Sequence, residues 1–168
     1  MEHVYKFVDS AVGRLKLVAN GTKLSAVLWE SDTPGRVRLG RMREEENNPI
    51  LLKTEAQLTD YFAGRRKAFD IEIDLVGTEF QTKVWMALST IPHGQTRSYA
   101  EIAAQIGHPT AVRAVGAANG RNPVSIIVPC HRVIGGSGDL TGFAGGLAAK
   151  KRLLALERSA RSGVPFCE

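Results

Sequence analysis

The chain has few cysteines, no long apolar run and no leader-like start, and each absence argues against a class of protein. Its 168 residues include two cysteines, Cys130 and Cys167, so we expect no disulfide framework and favour the reduced thiols of a cytoplasmic protein. No apolar run is long enough to cross a bilayer, and the first residues lack the basic-then-apolar order of a secretory signal, so we expect no membrane partner. His3, His93 and His108 show no ligand spacing, so we expect no metal site and no cofactor.

The excess positive charge of the chain lies entirely in its second half. Residues 1–76 hold 12 Lys and Arg against 12 Asp and Glu, whereas residues 77–168 hold 10 against 5, which accounts for the formal net charge of +5. A basic half of this kind suits contacts with the phosphates of a nucleic acid. A basic solvated surface has the same composition, so the charge alone leaves both interpretations open.

The N-terminal part predicts a small α/β unit of antiparallel strands and one helix. Four segments are β-forming runs or alternate apolar with polar residues: Val4–Val8, Leu15–Val18, Leu24–Trp29 and Phe69–Leu75. Asn20-Gly21 is a hairpin signal between the second and the third. The polar residues 31–48 predict a solvated loop or a weak helix. Asn48 and Pro49 predict the cap and the first position of a helix that Gly64 ends.

Gly77 is the predicted boundary between two domains, residues 1–76 and residues 77–168. Beyond it, two capping boxes predict two helix starts: Thr78-Glu79-Phe80-Gln81 and Ser98-Tyr99-Ala100-Glu101. Gly107 turns the chain, and Pro109 is predicted to begin a third helix. A helix, a tight glycine turn and a second helix make the layout of a helix-turn-helix, although any pair of antiparallel helices has the same pattern.

A cysteine stands beside a histidine in Pro129-Cys130-His131-Arg132-Val133, directly after the apolar run 125–128. Such a run predicts a buried strand, so Cys130 is expected where a strand leaves the core. A thiol is a strong nucleophile only as its thiolate, and a neighbouring imidazole supplies that form. A free cysteine is also often a small buried hydrophobe, so the pair alone does not decide between a nucleophile and a core residue.

The flanks of this pentapeptide carry a more specific pattern. Upstream stands Arg-Ala-Val-Gly-Ala-Ala-Asn-Gly-Arg-Asn-Pro at 113–123, and downstream stand Gly-Phe-Ala-Gly-Gly at 142–146 and a helix ending near Glu157. From about Gly77 to Glu157 the chain resembles the O6-alkylguanine-DNA alkyltransferases, also called methylated-DNA–protein-cysteine methyltransferases. The N-terminal part resembles them in general layout. The resemblance implies an α/β fold, with a ribonuclease-H-like N-terminal unit and a mainly helical winged helix-turn-helix domain.

The resemblance also implies a single-turnover repair reaction on double-stranded DNA. The family flips out O6-alkylguanine, and O4-alkylthymine as a further substrate, and moves the alkyl group irreversibly to its own cysteine, here Cys130. His131 would draw off the thiol proton through a bridging water, and Glu157 would orient His131. Tyr99 would donate to guanine N3, and Asn122 would fix the turn before the active site. We expect a monomer that binds DNA cooperatively.

The matching residues of the second helix are assigned to DNA: Thr110, Arg113, Ala114 and Ala117. Arg113 would take the place of the flipped base, and the alanines would give the helix a thin profile. The carbonyls of Cys130 and Val133 would accept from the guanine amino group, and the N–H of Ala144 would serve O6. Phe143 stands where the family commonly has tyrosine, and we predict that it forms a pocket wall; the alternative is that it points into the core.

Other candidates have plainer interpretations. Trp29 and Trp85 are expected in the core, and Cys167 as a free thiol. Lys150-Lys151-Arg152 predicts either a solvated helix face or a phosphate contact, and Asn119 replaces an apolar residue of some family members. Two rival functions remain: a cysteine hydrolase, for which no oxyanion hole is evident, and a non-catalytic sensor of alkylated DNA or DNA-binding regulator, whose known members lack the acceptor cysteine.

Overall fold

The computed structural model describes residues 2–161, and its N-terminal part is built around a four-stranded sheet. The strands are β1 His3–Val8, β2 Leu15–Asn20, β3 Lys23–Trp29 and β4 Met42–Glu44. They lie in the order β3-β2-β1-β4, with the first three antiparallel and β4 parallel to β1. The predicted hairpin at Asn20-Gly21 is confirmed, and Gly21 has the positive φ of 64° that such a turn needs.

Two strand predictions for this part are wrong. Residues 31–48 were expected to hold no strand, but β4 lies there and pairs with β1, with His3 opposite Met42. Residues 69–75 form no strand beyond an isolated bridge between Leu24 and Ile73. The apolar side chains of this segment still pack against the core: Phe69, Ile71, Ile73 and Leu75. The alternation therefore indicated their burial correctly, but it did not indicate hydrogen-bonded pairing with another strand.

The first two helices of the chain begin where their caps predict. Helix α1 spans Pro49–Phe62, and the side chain of Asn48 accepts from two N–H groups of its first turn. Helix α2 spans Glu79–Leu88 behind a complete capping box of Thr78 and Gln81. Gly64, at φ 77°, follows the end of α1.

The second half is helical with a two-stranded parallel ladder. After α2, its elements in chain order are β5 Arg97–Ser98, α3 Tyr99–Gln105, α4 Val112–Gly120, a 3₁₀ turn Cys130–Arg132, β6 Val133–Ile134 and α5 Leu147–Arg161. The capping box at Ser98 is confirmed. The third helix begins at Val112 rather than at Pro109, because residues 109–111 form a turn first.

The run Ser125–Val128 is not the predicted strand. Only Val124 makes a bridge, to Val27 of β3, and the next residues turn, with Ile126 at a φ of 75°. The run is buried all the same, because one continuous apolar core joins the sheet, α1, α2, α4 and α5. Among residues 2–161, no helix is both long and apolar enough to span a membrane.

Candidate active site

Cys130 lies at the first position of the 3₁₀ turn and is 3% exposed. Burial raises the pKa of its thiol, and the Asn122 side chain with the charges of Arg36 and Lys150 opposes this only in part. The thiol therefore keeps its proton near neutral pH in this setting. It needs a base at the moment of reaction.

His131, the residue that follows Cys130 in the 3₁₀ turn, forms a fully buried pair with Glu157. Nε2 of His131 lies 2.7 Å from Oε2 of Glu157, and the two side chains are 0% and 1% exposed. Burial lowers the pKa of His131, although Glu157 acts in the opposite direction. Nδ1 of His131 is buried and has no hydrogen-bond partner among the described residues. The imidazole thus has one nitrogen engaged by the carboxylate and the other available for a proton from the thiol side.

Arg132 and Tyr61 complete the surroundings of Glu157. Arg132 donates from Nε to Oε1 at 2.8 Å and from Nη2 to Oε2 at 2.9 Å, and Tyr61 of α1 donates its hydroxyl to Oε2 at 2.6 Å. Burial alone would raise the pKa of Glu157, but the hydrogen bonds and charges of His131 and Arg132 hold it well below its usual value. Glu157 is therefore an ionised, buried carboxylate and not the surface residue that its place near a helix end would indicate.

Asn122 ties the turn that precedes Cys130. Its Nδ2 donates to the carbonyl of Val128 at 2.8 Å, and its Oδ1 accepts from the N–H of Val124 at 3.0 Å. Nε1 of Trp29 donates to Oγ of Ser125 within the same turn at 3.0 Å. The amide of one asparagine thus closes both ends of the turn, and β3 holds its middle.

Helix α4 presents a small-residue face next to the site. Arg113, Ala114 and Ala117 are exposed, as is Thr110 before the helix, whereas Val115 and Ala118 are buried. Arg36 from the loop after β3 donates to the carbonyls of Gly120 and Asn122 at 3.1 and 2.8 Å. Asp32 holds the same guanidinium through two further hydrogen bonds. The end of α4 is therefore clamped by the N-terminal part, while its outer face stays open.

Three further residues named in the sequence analysis make hydrogen bonds in this half of the chain: Tyr99, Asn119 and Lys150. The hydroxyls of Tyr99 and Thr141 share a short hydrogen bond. Nδ2 of Asn119 lies 3.4 Å from the carbonyl of Cys130. Lys150 is buried and donates to the carbonyl of Val133 at 2.7 Å, so the prediction of a solvated or phosphate-bound lysine is wrong at this position. Lys151 and Arg152 are exposed.

Phe143 is half-buried and packs edge to face against Trp29, with ring centroids 5.3 Å apart. Gly145 of the same loop lies so close to that indole that a Cβ would stand 2.5 Å from it. The loop 142–146, with Ala144 at its centre, is therefore laid directly on Trp29. Both tryptophans are in the core as predicted, but Trp29 also supports the site.

Several residues of the site escaped the sequence interpretation: Tyr61, Arg132, Arg36 and Thr141. Arg132 stands inside the pentapeptide, and a charge within a run that is otherwise buried is a signal that could have found it. Tyr61 and Thr141 carry no local signal, because their partners lie far away in the chain. Arg36 does have a near partner, Asp32, four residues before it. Among residues 2–161, no group of three His, Cys, Asp or Glu side chains could hold a metal ion.

Comparisons with known proteins agree with this geometry. Residues 3–75 match the family described as "6-O-methylguanine DNA methyltransferase, ribonuclease-like domain", and residues 79–159 match "6-O-methylguanine DNA methyltransferase, DNA binding domain". A methylated-DNA–protein-cysteine methyltransferase of Mycolicibacterium paratuberculosis is 53% identical over 154 residues, covering 92% of each chain. The crystal structure of Mycobacterium tuberculosis OGT in complex with DNA superposes with a TM-score of 0.86 at 48% identity, covering 95% of this chain and 94% of that one.

Proposed function

We propose that this chain, which belongs to the 6-O-methylguanine DNA methyltransferase family, repairs DNA by moving the alkyl group of O6-alkylguanine onto Cys130. The predicted family and fold class are confirmed, and so is the class of activity: a DNA-acting methyltransferase that uses a cysteine of its own. The observation that supports Cys130 as the acceptor is the buried His131–Glu157 pair that its neighbour in the 3₁₀ turn forms.

The chemistry follows from the protonation states of the site. The thiol proton of Cys130 passes through a bridging water to Nδ1 of His131, whose Nε2–H stays on Glu157. The thiolate then attacks the alkyl carbon, so that a carbon–sulfur bond forms as the bond to O6 breaks. The leaving guanine keeps that electron pair and takes a proton at N3 from Tyr99. The imidazolium of His131 then loses its proton to solvent and the Tyr99 phenolate takes one up, so both side chains return to their neutral forms. The products are a neutral guanine in DNA and a thioether on Cys130.

DNA reaches the site over the exposed face of α4. An O6 atom inside the base stack is beyond the reach of a buried thiol, so the base has to be flipped out of the duplex. Arg113 fills the space that the base leaves, and Ala114 and Ala117 allow close approach to the groove. Phosphate contacts from the basic half, including Thr110, position the duplex without reading its sequence. Binding should therefore weaken steeply with salt.

The protein acts once. A thioether is a poor leaving group, and the described residues contain no second cysteine that could take the alkyl group over. We further propose that O4-alkylthymine is a second substrate, that the protein works as a cytoplasmic monomer that binds DNA cooperatively, and that its domains are residues 1–76 and 77–168. The composition and the resemblance support these points.

Labelled DNA tests the proposal against its rivals. DNA that carries radiolabelled O6-methylguanine should transfer one label per chain, and peptide mapping should place it on Cys130. Cys130→Ala should bind the DNA and take up no label, because the acceptor is gone. Label on Cys167, or more than one transfer per chain, would contradict the assignment. Free labelled product with turnover would indicate a cysteine hydrolase, and binding without transfer by the native chain a sensor.

A further inference from the structure

Tyr61 is a residue of the N-terminal part that reaches the catalytic carboxylate. It lies on α1, is 1% exposed and donates its hydroxyl to Oε2 of Glu157 at 2.6 Å, across 96 positions of sequence. Its ring packs against Phe62, Phe69 and His93, which holds the hydroxyl in one place. Burial and the neighbouring Glu157 charge raise the pKa of Tyr61 well above its usual value, so the hydroxyl keeps its proton and acts as a donor.

The hydrogen bonds of Glu157 determine where the proton of His131 lies. Arg132 occupies Oε1 and shares Oε2, and a guanidinium does not give up its proton. Oε2 also accepts a hydrogen bond from the Tyr61 hydroxyl at 2.6 Å and lies 2.7 Å from Nε2 of His131. An ionised carboxylate can only accept, so Nε2 of His131 has to carry hydrogen, and its Nδ1 is the nitrogen left with a lone pair. Tyr61 and His131 therefore compete for the same oxygen.

We propose that Tyr61 is a positioning residue of the alkyl transfer, which holds Glu157 in place and limits how strongly this carboxylate attracts the proton of His131. The inference rests on the proposed function, in which Cys130 loses its proton to His131. A donor on Oε2 spreads part of the negative charge of Glu157 onto the phenol. Without it, the same carboxylate would favour the protonated imidazole more strongly, and a protonated imidazole favours the thiolate.

Several titratable groups lie around Glu157. Tyr61 of α1, and His131 and Arg132 of the 3₁₀ turn, donate to it directly, and His93 after α2 interacts with it through space. Lys150 of α5 acts on His131 through space. Three further charged residues line the same cavity as Glu157: Arg97, Lys151 and Arg158. Among the described residues, three side chains donate directly to Glu157, and Tyr61 is the one that can be removed without removing either a charge or the proposed base.

The test is the pH dependence of thiol alkylation, which needs no DNA. Rates of reaction with a small alkylating reagent would be measured across neutral and alkaline pH in a Cys167→Ser background, so that Cys130 is the only thiol. Tyr61→Phe should shift the midpoint of this profile to lower pH. An unchanged midpoint, or a shift to higher pH, would overturn the proposal. Because alkyl transfer from DNA is a separate assay, failure of the proposed function there is distinguishable from failure here.

Matched variants separate positioning from simple destabilisation. Thr54→Val removes another buried hydroxyl of α1, which donates to the carbonyl of Ile50 at 2.7 Å. It should lower the melting temperature and leave the pH midpoint unchanged; a shift like that of Tyr61→Phe would overturn the proposal. In a Glu157→Gln background Tyr61→Phe should shift nothing, and a persisting shift would show that Tyr61 does not act through Glu157.

A measurement on the unaltered chain keeps the proposal testable if Tyr61→Phe does not fold. NMR of the histidine-labelled protein should show His131 protonated on Nε2 and unprotonated on Nδ1 at neutral pH. The opposite tautomer would mean that Nε2 does not donate to Glu157. The competition with Tyr61 for Oε2 would then not exist, and the proposal would fall.

Discussion

The two parts of the chain differ in what they bring to the site. Residues 79–159 carry the thiol, the imidazole, the carboxylate and the exposed face of α4. Residues 3–75 carry none of these, but three of their side chains hold the site in place. Trp29 binds the turn before Cys130, Arg36 binds the end of α4, and Tyr61 binds Glu157. Reactive groups thus lie in one part and their supports in the other.

The difference extends to charge. The N-terminal part is neutral in sum, whereas the C-terminal part holds the whole excess of +5. A basic surface attracts the phosphates of DNA, so it is useful on the part that binds DNA and has no such use on the N-terminal part. Changes in the C-terminal part should therefore act on rate and DNA binding, and changes in the N-terminal part on stability and on the position of the site.

The largest effect is expected at Tyr99, whose loss would test the chemical side of this comparison. Tyr99→Phe should slow alkyl transfer by about 10²–10⁴-fold, because a positioned acid typically contributes that much, while the melting temperature changes little. Tyr5→Phe in β1 is the matched control and should transfer at the native rate. Single-turnover rates on alkylated DNA would check both. An unchanged rate for Tyr99→Phe would remove it from the site.

Arg113 tests whether the charge of the C-terminal part serves base flipping. Arg113→Ala should slow repair of duplex DNA by roughly ten- to a hundredfold, because unstacking a base costs a few kcal/mol, and should spare transfer from free O6-benzylguanine. Arg14→Ala removes the same charge from the N-terminal part and should leave both rates alone. Equal losses on the two substrates would mean that Arg113 does not replace the flipped base.

Arg36 tests whether the N-terminal part stabilises the end of α4. Arg36→Ala should lower the free energy of unfolding by about 1–3 kcal/mol, because it leaves Asp32 and two carbonyls without their donor. Arg65→Ala, which removes the exposed pair with Asp60, should change it little. Urea unfolding would measure both. If Arg36→Ala unfolds like the native chain, the N-terminal part does not clamp α4.

The smallest effect is expected at Phe143, where the two parts meet. If its ring is a pocket wall, Phe143→Ala should lose benzyl transfer about five- to tenfold more than methyl transfer, since a benzyl group buries roughly 40–60 Å² more apolar surface. Phe143→Tyr should keep the native methyl rate. Phe80→Ala, a half-buried ring elsewhere, should show no preference between adducts. Equal losses with a lower melting temperature would instead place Phe143 in the core.

Most of the fold could be predicted where the signal is local. Asn48 with Pro49, Thr78 with Gln81 and Ser98 with Glu101 determine three helix starts through hydrogen bonds that span two or three residues. The hairpin at Asn20-Gly21 and the Cys130–His131 pair are local as well. In each case the interacting residues are near neighbours in the chain, so a short stretch of sequence contains both partners and predicts their interaction.

Tertiary structure alone decided the rest. Strand β4 exists because β1, almost forty residues earlier, offers it an edge, and Ser125–Val128 turns because the amide of Asn122 takes the hydrogen bonds that a strand would need. Glu157 is a buried, ionised carboxylate only because the common core brings Tyr61 and Arg132 to it. The sequence by itself determined the caps, the hairpin and the reactive pair. Their supports depended on long-range contacts, since a buried charge is stable only where distant residues supply its partners.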